Sequence, residues 1–237
     1  MNEADNFALV LKQPGALEKA EPGAKRILSD MVADTLDLAR KTASREVRVA
    51  DTQLENWFQT GERYYFGESV AKDTAEAAKW YRQAAEQNHV RAQDALGDCY
   101  YKGEGVEKDE MEAVKWYRRA AEQNHVPAQH NLGVCYDNGQ GVTHDDAEAV
   151  KWYRRAAEQN FAIAQHNLGV CYENGNGVQQ DFPEAYKFYK LAAEQNKEKA
   201  VRNLQRIVTR MTAVEIADGE RRFREFYAQK IRSLKIK

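Results

Sequence analysis

Every 36 residues the chain comes back to the same text: Trp80, Trp116 and Trp152 keep that spacing, and Phe188 takes the fourth place. The blocks Gly97–Leu132, Gly133–Leu168 and Gly169–Leu204 align over their whole length, and a looser copy runs from Gly61 to Leu96. A fixed period of about 20–50 residues means stacked supersecondary units that bury their apolar faces against one another. The 237 residues are therefore expected to form one elongated solenoid, although length alone would allow one or two compact domains.

Composition removes several function classes. A net charge of −2 supplies no global field to attract nucleic acid. No stretch approaches the ~18 apolar residues of a membrane-spanning helix. The N-terminus offers only the five-residue run Phe7–Leu11 behind Asn2, Glu3 and Asp5, which lacks the basic start of a secretory signal, so a cytoplasmic location is expected. Cys99, Cys135 and Cys171 occupy one repeat position. Packed helices lie about 10 Å apart, beyond the ~7 Å Cα span of a disulfide, so these read as buried thiols. None of the five histidines (His89, His125, His130, His144, His166) forms a metal-binding pair four residues apart. His130 and His166 are repeat-equivalent and too far apart to share a zinc. No nucleophile has an identifiable base beside it. The expectation is no enzyme, no metal and no cofactor.

In chain order, residues 1–23 hold the short apolar run and two turn dipeptides, Pro14-Gly15 and Pro22-Gly23. They read as an extended segment on the solenoid or as a tail ordered by a partner. From Ala24 to about Ala43, Leu28, Met31, Val32, Thr35, Leu38, Ala39 and Ala43 make one helical stripe, with acids early and bases late as the macrodipole favours. This predicts an N-terminal capping helix, followed by a separate helix over 50–66 that opens the degraded first repeat.

Each repeat then divides into two helices. The second begins at a capping box, Asp73/Glu76, Asp109/Glu112, Asp145/Glu148 or Asp181/Glu184, in which the Asp accepts from a first-turn N–H and the Glu reaches back to the cap's own N–H. Behind it, Ala113, Trp116, Tyr117, Ala120 and Ala121 fall on one face. Asn88, Asn124, Asn160 and Asn196 suit a left-handed helix end. The first helix runs from about Pro127 to Asn138, with Ala128, Leu132, Cys135 and Tyr136 inward. Gly61, Gly97, Gly133 and Gly169 lie inside such helices, where glycine costs about 1 kcal/mol against alanine. Close approach of a Trp or Tyr explains them. Gly139-Gln140-Gly141 permits a tight turn, but no strand precedes it and no Lys-Ser/Thr follows, so it does not read as a phosphate loop. Lys197–Met211 looks like one more first helix with Gln205 in the glycine place, and Thr212/Glu215 is a further capping box. The basic last helix reads as a C-terminal cap, with membrane or RNA contact as the alternatives.

The unit LGVCYDNGQGV…D…EAVKWYRRAAEQN resembles the Sel1-like repeat, the 36-residue relative of the tetratricopeptide repeat. The resemblance covers Gly61 to about Leu204. It implies an all-α fold, antiparallel helical hairpins stacked into a right-handed α-α superhelical solenoid with N- and C-terminal capping helices and first helices on the concave wall. The expected division is residues 1–50 for the N-terminal segment and cap, 51–204 for the repeats with the first helix of a fifth, and 205–237 for the C-terminal cap. Some Sel1-like proteins carry a disulfide within each repeat; the second cysteine is missing here, so that feature does not carry over.

Function is expected in the differences between copies. On the first helices Asp94, His130, His166 and Arg202 share one register, Ala95, Asn131, Asn167 and Asn203 the next, and Asp98, Val134, Val170 and Arg206 a third. In tetratricopeptide relatives asparagines and bases on this wall grip peptide backbones and carboxylates, and Asn131, Asn167 and Asn203 resemble that asparagine position. The competing reading has these amides bonding between adjacent helices. The expectation is a non-catalytic scaffold or adaptor that binds a protein or peptide along a groove from an acidic end (Asp94, Asp98) to a basic one (Arg202, Arg206), where an acidic group of the ligand docks. Neither nucleic acid nor membrane is expected. A spacer contacting partners through its N-terminal segment and basic last helix is the alternative. A third reading, small-molecule binding, follows from the association of some Sel1-like proteins with β-lactams and requires a deep polar pocket.

Overall fold

The structure, a computed structural model, describes residues 22–195 and 197–235, and these form ten α-helices and no strand. They are α1 (Pro22–Phe66), α2 (Thr74–Glu86), α3 (Val90–Lys102), α4 (Glu110–Glu122), α5 (Val126–Asn138), α6 (Asp146–Glu158), α7 (Ala162–Asn174), α8 (Phe182–Ala193), α9 (Glu198–Val208) and α10 (Ala213–Lys235). The chain divides into two units between Gln53 and Leu54. The Phe7–Leu11 run, Pro14-Gly15 and the helix-closing place of Asn196 lie outside the described residues.

The first unit holds the N-terminal part of α1, and here the sequence expectation is corrected. One helix of 45 residues replaces the two expected over 24–43 and 50–66. Between Ala43 and Ala50 there is no glycine or proline, and a shift of the apolar stripe does not by itself stop a helix. Pro22 is no turn residue either; it starts α1, where its missing N–H is not needed. Leu38 and Val49 are exposed on this unit, and Lys41 pairs with Asp37 at 2.6 Å.

From Leu54 onward the helices pair in order as hairpins: the end of α1 with α2, then α3/α4, α5/α6 and α7/α8, while α9 and α10 both pack on α8. Four of the second helices start as expected. Asp73, Asp109, Asp145 and Asp181 each accept from the backbone N–H three residues on, all at 2.9 Å. The returning half of the box does not form. Each Asp N–H instead donates to the carbonyl of Tyr64, Tyr100, Tyr136 or Tyr172 on the preceding helix, at 2.9–3.0 Å. The freed glutamates bond instead to Lys79, Lys115, Lys151 and Lys187, the first three pairs at the surface and the fourth largely covered. Only Thr212/Glu215, with no such carbonyl in reach of its N–H, closes both halves, at 2.8 and 3.3 Å. Asn88, Asn124 and Asn160 end their helices at φ of 69°, 68° and 71°.

Inside each hairpin a tyrosine ring lies flat against the glycine of the first helix. A Cβ on Gly61, Gly97, Gly133 or Gly169 would stand 2.6–2.7 Å from ring carbons of Tyr81, Tyr117, Tyr153 or Tyr189. Between hairpins the tryptophan makes the joint: Trp116 packs with Ala77, Ala78 and Tyr81 of α2, Trp152 with Ala113, Val114 and Tyr117 of α4, and Phe188 with Ala149 and Val150 of α6. The indole N–H groups of Trp80, Trp116 and Trp152 are buried without a hydrogen-bond partner, which is why a phenyl ring serves in the fourth copy. Cys99, Cys135 and Cys171 are free and buried, and burial pushes each thiol up to about 12.

A second joint runs along the opposite edge. The buried amide of Gln129 donates to the Ala121 carbonyl at 3.2 Å and accepts from Gln159 of the next repeat at 2.9 Å. Gln93/Gln123 and Gln165/Gln195 repeat the arrangement. This accounts for the recurring Gln of AEQN, to which sequence reasoning assigned no role. The last helix covers the end of the stack by the same packing rule: Gly219 of α10 meets the ring of Tyr186 on α8, and Arg222 reaches Asp181 at 2.8 Å and Glu184 at 3.0 Å.

Candidate partner-binding face

Positions i, i+3, i+4 and i+7 share one side of a helix. Counted that way, each first helix presents four residues on one side: Arg91, Asp94, Ala95 and Asp98 on α3; Pro127, His130, Asn131 and Val134 on α5; Ile163, His166, Asn167 and Val170 on α7; Lys199, Arg202, Asn203 and Arg206 on α9. The structure places every residue singled out from the sequence on this side, and it changes what several of them do.

The middle two registers form a continuous hydrogen-bond ladder. Asn131 Nδ2 lies 3.2 Å from Asp94 Oδ1, and Asn131 Oδ1 lies 3.3 Å from His130 Nδ1. His130 Nε2 then meets Asn167 Nδ2 at 3.3 Å, Asn167 Oδ1 meets His166 Nδ1 at 3.3 Å, and His166 Nε2 meets Asn203 Nδ2 at 3.0 Å. The asparagines thus bond between neighbouring first helices, the bland one of the two readings, and their carbonyl oxygens already have donors. Burial holds the pKa of both imidazoles below the ordinary histidine value; the Asn131 bond and Asp94 oppose that at His130, and Lys199 adds to it at His166. His125 closes the acidic end, 3.3 Å from Asp94 Oδ2.

The outer registers are set by where the core tyrosines find an acid. Tyr117 donates to Asp98 at 2.7 Å, and Lys102 pairs with the same carboxylate at 2.9 Å. In the next copies the acceptor moves one turn along the first helix, to Asp137 for Tyr153 (3.1 Å) and Glu173 for Tyr189 (2.8 Å). The place after the glycine no longer has to be acidic there, and it becomes Val134 and Val170. With Pro127 and the exposed Ile163 these make an apolar centre on α5 and α7.

The basic end differs most from expectation. Arg206 does not wait for a ligand. It holds the buried Glu173 with two bonds of 2.5 and 2.7 Å, and Arg210 adds a third at 2.5 Å. Burial favours the neutral acid, but the bonds from Arg206 and Tyr189 and the two guanidinium charges outweigh it, so Glu173 ionises below the usual glutamate value. Arg202 stays exposed, 3.5 Å from Glu198 of its own helix, and exposed Lys199 lies one turn before it. The Glu173 cluster was not found from the sequence. Its signal is an acid four residues after the repeat glycine, facing a tyrosine sixteen residues later.

At the other end of the face an open groove of about 530 Å³ is lined by Phe58, Tyr65, Phe66, Arg91, Asp98 and Pro127, among others. Arg91 stacks 4.2 Å over the Phe58 ring and pairs with Glu55 at 3.3 Å and Glu62 at 3.6 Å. Among the described residues no group of histidine, cysteine and acidic side chains is placed to hold a metal, and no helix is long and apolar enough to cross a membrane.

Hairpins of this length, with this glycine–tyrosine contact and tryptophan joint, match the Sel1 repeat at residues 58–89, 90–125, 126–161 and 162–197, more than half of the chain. The chain belongs to the Sel1 repeat family. Sel1 repeats are generally non-catalytic and commonly mediate protein–protein contacts. Among solved structures, it is similar to a protective antigen of uropathogenic Escherichia coli strains with an SLR fold, at 39% identity and a TM-score of 0.66 over 70% of this chain and 35% of that one. It is also similar to a Sel1 repeat protein from Oxalobacter formigenes, at 40% identity and a TM-score of 0.61 over 64% of this chain and 60% of that one. The chain thus spans about a third of the first relative and three-fifths of the second. No curated protein matches it.

Proposed function

We propose that these Sel1 repeats bind a partner protein through the side of the first helices carrying Pro127, Val134, Ile163 and Val170, without catalysis. The observation that carries this reading is that apolar row. Of these Ile163 is exposed, while Pro127, Val134 and Val170 are half-buried with the valines partly packed on the core; aligned on two neighbouring helices, between acids on one flank and bases on the other, they make a patch of the kind partners cover. The fitting ligand is a helix or extended segment with an apolar centre, an acid toward Lys199 and Arg202, and a base that competes at Glu62 and Asp98 with their exposed partners Arg91 and Lys102. The groove beside Phe66 suits one bulky apolar side chain, the kind of anchor that dominates interface energies. The expected acid site moves from the Arg202/Arg206 pair to Lys199 and Arg202, because Arg206 is bound to Glu173.

Peptide display against the intact chain tests this. The expected selection is a motif with a base and an acid at opposite ends of an apolar centre, whose binding is lost in Val134→Glu/Val170→Glu. Peptides that bind that variant undiminished would overturn the assignment of the face. A contact through α10 is the second reading, favoured by exposed Arg224 and Tyr227, on either side of Phe226, which packs on the core; Arg224→Glu/Tyr227→Ala abolishes binding only if it holds.

A further inference from the structure

The direction of every bond in the Asp94–Asn203 ladder follows from one charge. As a carboxylate Asp94 only accepts, so Asn131 must show it the amino group and keep its carbonyl oxygen for His130. That oxygen accepts, so Nδ1 of His130 carries the proton, and a neutral imidazole then accepts at Nε2. Asn167 therefore presents its amino group to His130 and its oxygen to His166 Nδ1–H, and Asn203 presents its amino group to His166 Nε2. All five donors point toward Asp94, across α3, α5, α7 and α9.

Such a chain has one weak point. A proton added to His130 makes Nε2 a donor facing the amino group of Asn167, two donors in contact. Asn167 must then turn over, which brings its amino group against Nδ1–H of His166, and the conflict passes on until His166 changes tautomer and Asn203 turns as well. We propose that this ladder is a one-way relay that keeps four first helices in register while both imidazoles are neutral, and that mild acid breaks it and releases what the face holds. The second half rests on the binding reading above; the first does not.

The surroundings agree. His130 faces Asp94 from α3, Asn167 from α7, the Tyr153 ring from α6 at 5.9 Å and the Phe161 ring at 5.5 Å. Beyond the ring, the Tyr153 hydroxyl is bonded to Asp137. His166 faces Asn203 and Lys199 from α9 and the Tyr189 ring from α8 at 5.8 Å, with Glu173 and Arg206 behind that hydroxyl. Burial lowers both histidine values, so the unfolded chain takes up protons first as pH falls below its ordinary value of about 6.5. Stability from these groups is complete above that pH and declines as pH drops from there toward the folded values. The carboxylates held low, Glu55, Glu173, Glu215 and Glu220, begin to lose theirs only below about 4.5.

Long-range proton–nitrogen spectra of the intact chain with 15N-labelled histidine read the relay directly and need no variant. At pH 7.5 both His130 and His166 are expected as the Nδ1–H tautomer, with exposed His144 as the internal reference. Nε2–H forms at the two ladder positions would overturn the relay. Thermal melting from pH 7.5 to 5 is expected to show a falling midpoint in the natural chain and a flat one in His130→Gln/His166→Gln, whose amides can donate to the same oxygen and accept from the same amino group. An equal fall in both would also overturn it. A displayed peptide that binds at pH 7.5 is expected to weaken as pH falls to 5, and only in the natural chain. Equal weakening in both chains would sink the release half alone. A display that yields no peptide defeats the binding reading and leaves the relay to its spectra.

Discussion

Replacing Gly133 with alanine sets two well-measured effects against each other. In the middle of an exposed helix the change gains about 1 kcal/mol of helix propensity. Here the new methyl would lie 2.7 Å from both Cδ1 and Cε1 of Tyr153. That ring is fully buried and tied by its hydroxyl to Asp137 at 3.1 Å, so it cannot swing aside as a flexible chain end would. Overpacking of this kind costs about 1–3 kcal/mol, and the net expectation is a loss of about 1 kcal/mol. The control is the same substitution in a Tyr153→Ala background. Without the ring the propensity gain stands alone, and Gly133→Ala should stabilise that chain by up to about 1 kcal/mol. A change of sign between backgrounds means a coupling of about 2 kcal/mol, as expected for residues in contact. Urea denaturation followed by far-UV circular dichroism measures all four chains. A gain in stability for Gly133→Ala alone, or the same effect in both backgrounds, would refute the packing argument.

Two further substitutions probe the rest of the frame. Trp152→Phe should cost far less than the roughly 3–5 kcal/mol of Trp152→Ala, because the buried indole N–H makes no bond and Phe188 already does this work in the next copy; the same denaturation series decides it. At the Glu173 cluster the two sides are unequal: Glu173 is buried while Arg206 and Arg210 are about half exposed. Arg206→Ala/Arg210→Ala leaves a buried carboxylate unpaired and should cost about 3 kcal/mol or more, whereas Glu173→Gln leaves arginines that water can solvate and should cost clearly less. In acid titrations Glu173 contributes its stability above about pH 4.5 and loses it as pH falls through its lowered folded value; in the arginine double variant that loss should vanish or reverse, because burial then favours the neutral acid.

The features legible in the sequence are the local ones that recur. The Asp caps, left-handed asparagines and helix glycines each appear in several copies at one phase, so their chemistry could be argued without knowing the packing. The errors come from competition across space. The glutamates of the capping boxes lose the cap N–H to a tyrosine carbonyl on another helix. Arg206 reads as a free charge until Glu173, 33 residues earlier and in the preceding repeat, is seen to lie against it. The asparagine row has two chemically sound uses, and only the position of Asp94 and the two imidazoles decides that the amides bond along the stack. The apolar row over Pro127, Val134, Ile163 and Val170 was half visible: the valines stood in the sequence register, but their meaning needed the tyrosine acceptors to move to Asp137 and Glu173.

The claim that the first-helix side is the working surface is tested most directly by site-specific photo-crosslinking in cells. A crosslinker placed at Val134 or Ile163 is expected to trap one discrete partner, and the same crosslinker at Lys115 or Lys151 on the second helices is expected to trap none. Adding Arg202→Glu to the Val134 probe should weaken that product. Capture from Lys115 and Lys151 but not from Val134 and Ile163 would contradict the account.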